Sequence, residues 1–230
     1  MILRQKAKCF AAIPAGGQNG LRADLNISLD GFATATDQTT EKPMSPDWMR
    51  LVSAYVATKT VRERVFGDET GKGTTGIDDR YARDYFADVG AEIMGAGMFG
   101  LHNTDDANWK GWWGDEPPFR IPVLVLTHTP RPDITFANGT SFHFLDTSAE
   151  DALARARALA GERDIRIGGG ASLVRDFLKA GLIDRLHVGI APVILSQGVR
   201  LWDDLRHLED SYSITSEVSE GGVIHVTFER

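Results

Sequence analysis

"DIRIGGGASLVRDFLKAGLIDRLHVGIAPVIL", residues 164–195, runs from an apolar alternation through three consecutive glycines into a helix and a second strand. Each glycine inside a regular element costs roughly 0.5–1 kcal/mol relative to alanine. Three together therefore mean that the backbone turns where side chains do not fit, or that something comes close to it. The alternation predicts a strand over 164–167, a helix over 171–180 with Gly181 at its C-cap, and a strand over 184–195 broken at Pro192. Strand, glycines and helix in that order present free backbone N–H groups and a helix dipole to an anion. The plainer reading of the same residues is a tight strand-to-helix turn with no ligand.

Better-known motifs do not fit. Residues 168–174 read G-G-G-A-S-L-V, without the G-x-G-x-x-G dinucleotide fingerprint. A nucleophile elbow around Ser172 needs glycine at Val174. "GDETGKGTTG" (67–76) has its lysine, Lys72, one residue early for a phosphate-binding P-loop, and Gly73 follows it where Ser or Thr belongs. It reads as a flexible loop.

Outward from the centre, elements alternate. A strand is expected over 21–29 with a turn at Asp30-Gly31, a helix within 45–66 capped by Ser45 or Asp47, and a helix from 78 ending at Gly90. "AEIM" is a short buried strand before "GAGMFG", and "IPVLVLTH" (121–128) a strand covered on both faces. "TSFHFLD" alternates as a strand. "TSAEDALARARALAG" is an amphipathic helix capped by Thr147 or Ser148 and stopped at Gly161. Asp203 and Asp204 are expected to start or cap a helical turn, and the tail to form a hairpin at Glu220-Gly221-Gly222. The expected class is α/β: one domain over 21–230, a central, mainly parallel sheet with flanking helices and a C-terminal antiparallel hairpin.

Composition narrows the partners. The 230 residues are 42% hydrophobic, enough for a packed core, and no apolar run approaches the roughly 18–20 residues of a membrane span. Acidic residues outnumber basic ones 32 to 25 and no basic stripe forms, which argues against nucleic acid. The single cysteine, Cys9, rules out a disulfide within the chain and fits a reducing, cytoplasmic setting. Near the N-terminus the apolar run over 9–15 is short and interrupted by Pro14, so residues 1–20 are expected to be a flexible leader rather than a secretory signal.

Other candidates are weaker. His102, Asp105 and Asp106 sit in a polar loop without metal-ligand spacing, so no metal is expected. His143 and His225 read as packed or surface residues of strands. Trp109, Trp112 and Trp113 in the loop 101–120 either pin that loop to the core or wall a flat heterocyclic substrate.

Six stretches in register carry a resemblance: "LNISLDGFAT", "EIMGAGMFG", "PVLVLTH", "FHFLDTSAEDAL", "IRIGGGASLVRDFL" and "GLIDRLHVGIAPVIL". Together they resemble the dihydrofolate reductase superfamily, and within it the reductase domain of bifunctional riboflavin-biosynthesis deaminase-reductases, from about residue 21 to the end. The resemblance implies a dihydrofolate reductase-like fold with NADPH across the carboxyl ends of the strands. Gly168, Gly169, Gly170, Ala171, Ser172 and Leu173 would cradle the pyrophosphate, with Gly95, Ala96, Thr127 and His128 completing the cofactor site. Asn26, Ser28 and Gly31 would border the substrate cleft, and Asp30 is the candidate acid; its other reading is turn chemistry, since Asp-Gly is a favoured turn pair. A homodimer is implied, with "LHVGIAPVIL" a candidate contact.

The chain departs from that pattern in places. Ala96 stands where the family has a phosphate-binding arginine, which leaves NADH open beside NADPH; Lys72, Arg131 or His128 are the candidate substitutes. The family's L-G-x-G appears as Leu195-Ser196-Gln197-Gly198, with Ser196 in place of the first glycine, and Asp47 near the first helix has no assigned role. The expected function is hydride transfer to a small heterocyclic or carbonyl/imine substrate. Two alternatives stand beside it: a degenerate nucleotide-binding or scaffolding member, and a stand-alone riboflavin-pathway pyrimidine reductase without the zinc-deaminase signature.

Overall fold

Leu21, Ala23, Leu25 and Ile27 alternate with Arg22, Asp24, Asn26 and Ser28, so a strand there is apolar on one face and polar on the other. The computed structural model of the protein describes residues 20–34, 36, 38–43 and 45–230, and builds this strand as β1 (Leu21–Ser28). The expected leader, Cys9 included, lies outside the described residues apart from Gly20.

Around β1 the sheet grows from β3 (Val89–Gly95), β4 (Pro122–Leu126), β6 (Ser141–Leu145), β7 (Asp164–Gly169) and β8 (Arg185–Ala191), all parallel. The antiparallel members lie outside: β5 (Ile134–Thr135) at one edge, β11 (Ile224–Glu229) and then β10 (Ser213–Val218) at the other. The order is β10-β11-β8-β1-β7-β3-β4-β6-β5, and β2 (Phe32–Thr34) pairs separately with β9 (Val199–Arg200). The α/β reading and the terminal hairpin hold. Because β8 lies between β1 and β11, the stretch named as a dimer contact offers no free strand edge; β10 is the edge on that side.

The two faces differ in chemistry. One carries Leu21, Ala23, Ile27, Ala91, Ile93, Ile165 and Ile167 against α5 (Ala149–Ala160) and α6 (Ala171–Lys179). Ser148 caps α5 and Gly161 ends it, as expected. The other face, under α1 (Pro46–Val56) and α3 (Ile77–Phe86), is charged: Arg22, Glu92, Arg166, His187 and His225 are all buried there. α3 is tied down by them, since Arg166 donates to the Tyr85 carbonyl at 2.6 Å and Arg22 to that of Ala87.

Three expected boundaries move. The helix within 45–66 is two helices, α1 and α2 (Lys59–Arg64), because the Thr58 hydroxyl caps a new start and Lys59 N–H turns aside to the Thr74 carbonyl at 2.9 Å. The helix expected to end at Gly90 ends at Phe86: Asp88 takes a positive φ of 51° and Val89 already begins β3. Asp203 and Asp204 start no helical turn; Asp204 is in a left-handed bend with φ 58°, and a short 3-10 turn begins only at Leu208. α4 (Ala96–Phe99) is a single turn after β3.

Candidate functional site

The three glycines answer to three different constraints. Gly168 is the residue skipped where β7 slips against β3, since Ile167 pairs with Ile93 and Gly169 with Met94. A methyl group on it would sit 2.6 Å from the Glu92 carboxyl carbon. Gly169 and Gly170 take φ of 146° and 89°, conformations that L side chains rarely adopt. Gly170 is the N-cap of α6, and no side chain caps the N–H groups that follow it.

Those N–H groups open onto a cavity of about 1960 Å³ along the carboxyl ends of β1, β7, β3 and β4. Pockets for one small ligand run to roughly 300–1,000 Å³, so there is room for a dinucleotide and a second molecule. All ten residues expected around the cofactor line it: Gly95, Ala96, Thr127, His128, Gly168, Gly169, Gly170, Ala171, Ser172 and Leu173. A methyl group at Gly95 or Gly170 would meet nothing closer than Leu173 Cβ at 3.8 Å, so both leave open space over the α6 terminus. An uncapped helix start walled by glycine fits a phosphate group. Of the proposed cations, Arg131 lines the cavity and packs over the Phe144 ring at 5.3 Å. The His128 ring is fully exposed at its rim and lies 3.0 Å from Asp146. Lys72 does not line it.

The substrate-side expectations divide. Asn26, Trp112 and Trp113 line the cavity; Ser28, Asp30 and Gly31 do not. The tryptophans pin the loop, and two of them also line the cavity. Trp109 Nε1 donates to the Phe99 carbonyl at 2.9 Å and Trp113 stacks on Phe142 at 5.9 Å, which pins the loop, while Trp112 and Trp113 also face the cavity.

Asp30 is held in its turn by three hydrogen bonds. The Ser28 hydroxyl donates to it at 2.6 Å and the Leu195 and Ser196 N–H groups at 3.2 and 2.8 Å. The Ser28 bond, followed by those two, holds its carboxyl at about 2, so at neutral pH it has no proton to give. Its contribution to stability is complete above the unfolded value of 3.8 and disappears as pH falls through about 2. Asp30→Asn is therefore expected to flatten the acid limb of the unfolding curve between those values, read by circular dichroism, and to leave nicotinamide binding unchanged. Asp47 pairs with Arg50 at 2.9 Å and does not line the cavity.

The floor of the cavity holds residues the motifs did not reveal: Asp24, Tyr55, Tyr81, Arg166 and His187, with His225 and Asp78 beside them. Arg166 Nε donates to Glu92 at 3.0 Å and its guanidinium covers the Tyr85 ring at 3.7 Å. Burial works against both charges; at Arg166 it is the largest single influence, but the Glu92 charge and hydrogen bond together with Tyr85 and Tyr55 outweigh it and raise the guanidinium, whereas burial prevails at Glu92 and pushes that carboxyl up. Their signal in the sequence is a charged residue within an apolar run: Glu92 in "AEIM", Arg166 in "IRI", His187 in "LHV" and His225 in "IHV". Among the described residues no group of three or more His, Cys, Asp or Glu is placed to hold a metal ion, and no helix is long and apolar enough to cross a membrane.

A sequence model of the RibD C-terminal domain matches residues 20–218. The chain belongs to that family. Solved structures share the fold at low identity. A Shewanella sp. PV-4 protein provisionally assigned to riboflavin biosynthesis is 21% identical, with 92% of this chain and 98% of that one covered and a TM-score of 0.57. Acinetobacter baumannii RibD is 18% identical at a TM-score of 0.50, covering 93% of this chain and 58% of that one. A Thermotoga maritima diaminohydroxyphosphoribosylaminopyrimidine deaminase/5-amino-6-(5-phosphoribosylamino)uracil reductase is 14% identical at 0.50, covering 92% and 56%. Among curated proteins, Bacillus subtilis (strain 168) YyaP, an uncharacterized protein, is 30% identical over 66 residues, 29% of this chain. That match spans 35% of YyaP, about a third of its length. Membership in the RibD C-terminal domain family agrees with the resemblance read from the six stretches.

Proposed function

We propose that the protein is a nicotinamide-dependent reductase acting on a small heterocyclic or carbonyl/imine compound, with NADPH as the cofactor. The observation that carries this is the convergence of all ten cofactor-site residues on one cavity whose phosphate end is the uncapped start of α6. Ala171, Ser172 and Leu173 would hold the pyrophosphate by their N–H groups, and Gly95 and Gly170 leave the space it needs. Bound there, a reduced nicotinamide supplies a hydride to an electrophilic carbon. The protein aligns that carbon, excludes water behind Trp112 and Trp113, and provides the proton.

The test is a titration with NADPH and with NADH, followed by quenching of tryptophan fluorescence. Saturable quenching by NADPH is expected; no binding of either at millimolar concentration overturns the reading and leaves a scaffolding member of the family. Ala96 bears on cofactor choice, because it removes a charge-assisted contact to phosphate. Ala96→Arg is expected to tighten NADPH roughly 10–100-fold, the worth of one such bond, with a much smaller change for NADH. Equal gains for the two would place position 96 away from the extra phosphate.

A further inference from the structure

Four titratable side chains, three of them buried and Asp24 partly so, form one line across the charged face of the sheet. Asp24 on β1 stands opposite His187 on β8, with Oδ1 3.1 Å from Nδ1. His187 Nε2 lies 2.9 Å from Nδ1 of His225 on β11, and His225 Nε2 lies 2.9 Å from Oδ1 of Asp78 at the start of α3. The Tyr81 ring is stacked on both imidazoles, with centroids 4.2 and 4.1 Å away, and its hydroxyl donates to Glu217 at 2.8 Å. All four members line the cavity. Asp24 and Gly168 both line the cavity, so the Asp24 end of the line and the glycine turn open onto the same space.

Three contacts need three protons. A neutral imidazole brings one N–H and an imidazolium two. The line is satisfied by one charged and one neutral ring between two carboxylates, or by two neutral rings, one carboxylate and one carboxylic acid. Both forms carry a net charge of −1 and differ only in where a proton sits along short bonds. Burial pushes the His225 imidazolium down against its bond to Asp78. Burial pushes Asp24 up, but the His187 bond and charge, with Arg22 and Arg185, bring it below its ordinary value. The other groups facing the line are Glu217 from β10 and Tyr81 from α3, with Tyr55 from α1 near the Asp24 end.

We propose that this line is the proton store of the site: it holds three protons at rest and gives one, from His187 Nδ1 through Asp24, to the substrate. The proposal rests on the reductase reading above. For a C=N substrate the carbon takes the hydride with its electron pair, the π pair moves to nitrogen, and nitrogen takes the proton. The C=N is reduced as the nicotinamide is oxidised. Two protons then remain, with lone pairs of Asp24 and His187 facing each other, and a proton from water restores the third.

With histidine nitrogens labelled in the full chain, Asp78→Asn is expected to change the nitrogen shifts of His187 as well as those of His225, because one proton line joins them. His187 shifts untouched by Asp78→Asn overturn the store. With saturating NADPH and a reducible imine, His187→Gln is expected to slow single-turnover reduction by about 10²–10⁴-fold, with NADPH affinity unchanged. Asp78→Asn, outside the hydride path, is expected to move the midpoint of the pH–rate profile, which a purely structural role would not do. A fully active His187→Gln overturns the proton role and leaves the reductase reading standing. Wild-type protein that binds no nicotinamide overturns both. If His187→Gln does not fold, His225→Gln provides the same test one step farther from the cavity: slowing supports the store, and an unchanged rate overturns it.

Discussion

Gly168→Ala is expected to destabilise the protein by about 3–5 kcal/mol, a loss read as a lowered urea midpoint at unchanged slope. The new methyl group would lie 2.6 Å from the Glu92 carboxyl carbon and 3.3 Å from its Cγ, in a place where neither strand has freedom to give. Overpacking alone costs typically 1–3 kcal/mol. Here the displaced atoms also belong to a buried ion pair, and turning the carboxylate aside breaks its bonds to Arg166. A loss below about 1 kcal/mol would show that Glu92 repacks freely and that the glycine serves only the turn.

Arg166→Met is expected to cost a similar 3–5 kcal/mol, because it leaves the Glu92 carboxyl buried with no partner for either oxygen. The loss has a definite pH dependence. Burial already raises the Glu92 carboxyl, and without the guanidinium it rises further above its unfolded value of 4.5. A raised folded value means that stability is retained below 4.5 and lost as pH rises toward the folded value, so the variant is expected to be weaker at pH 8 than at pH 5. Glu92→Met combined with Arg166→Met removes both charges and is expected to recover most of the loss, since well-packed apolar replacements of buried pairs are often neutral. A double variant as unstable as Arg166→Met alone would locate the cost in lost stacking on Tyr85 instead.

The fold was legible because its signals are local. Ser45, Ser148 and Gly161 mark helix ends, and the alternation from Leu21 onward shows which side chains share a face. The breaks were illegible where the deciding contact comes from elsewhere: α1 and α2 separate because Thr74, in a distant loop, takes the Lys59 N–H. The glycine end of the cavity was legible from six stretches in register. Its floor was not, because Asp24, Asp78, His187 and His225 come from four elements and meet only when β1, β8, β11 and α3 assemble. For Asp30 the turn pair was legible, but two of its three donors are backbone groups of residues 195 and 196, which no local pattern reveals.

The position of β1 orders events during synthesis. Its only partners in the main sheet among the described residues are β7 and β8, and Gly20 at its start bonds to Asp164, 144 residues later. At about 5–20 residues per second the ribosome needs roughly 7–30 s to deliver that partner. For that interval β1 has an apolar face and two unpaired edges, while β3, β4 and β6 already have one another. The polar alternation of Arg22, Asp24 and Asn26 then keeps a waiting strand in water, long before those side chains become the floor of the site.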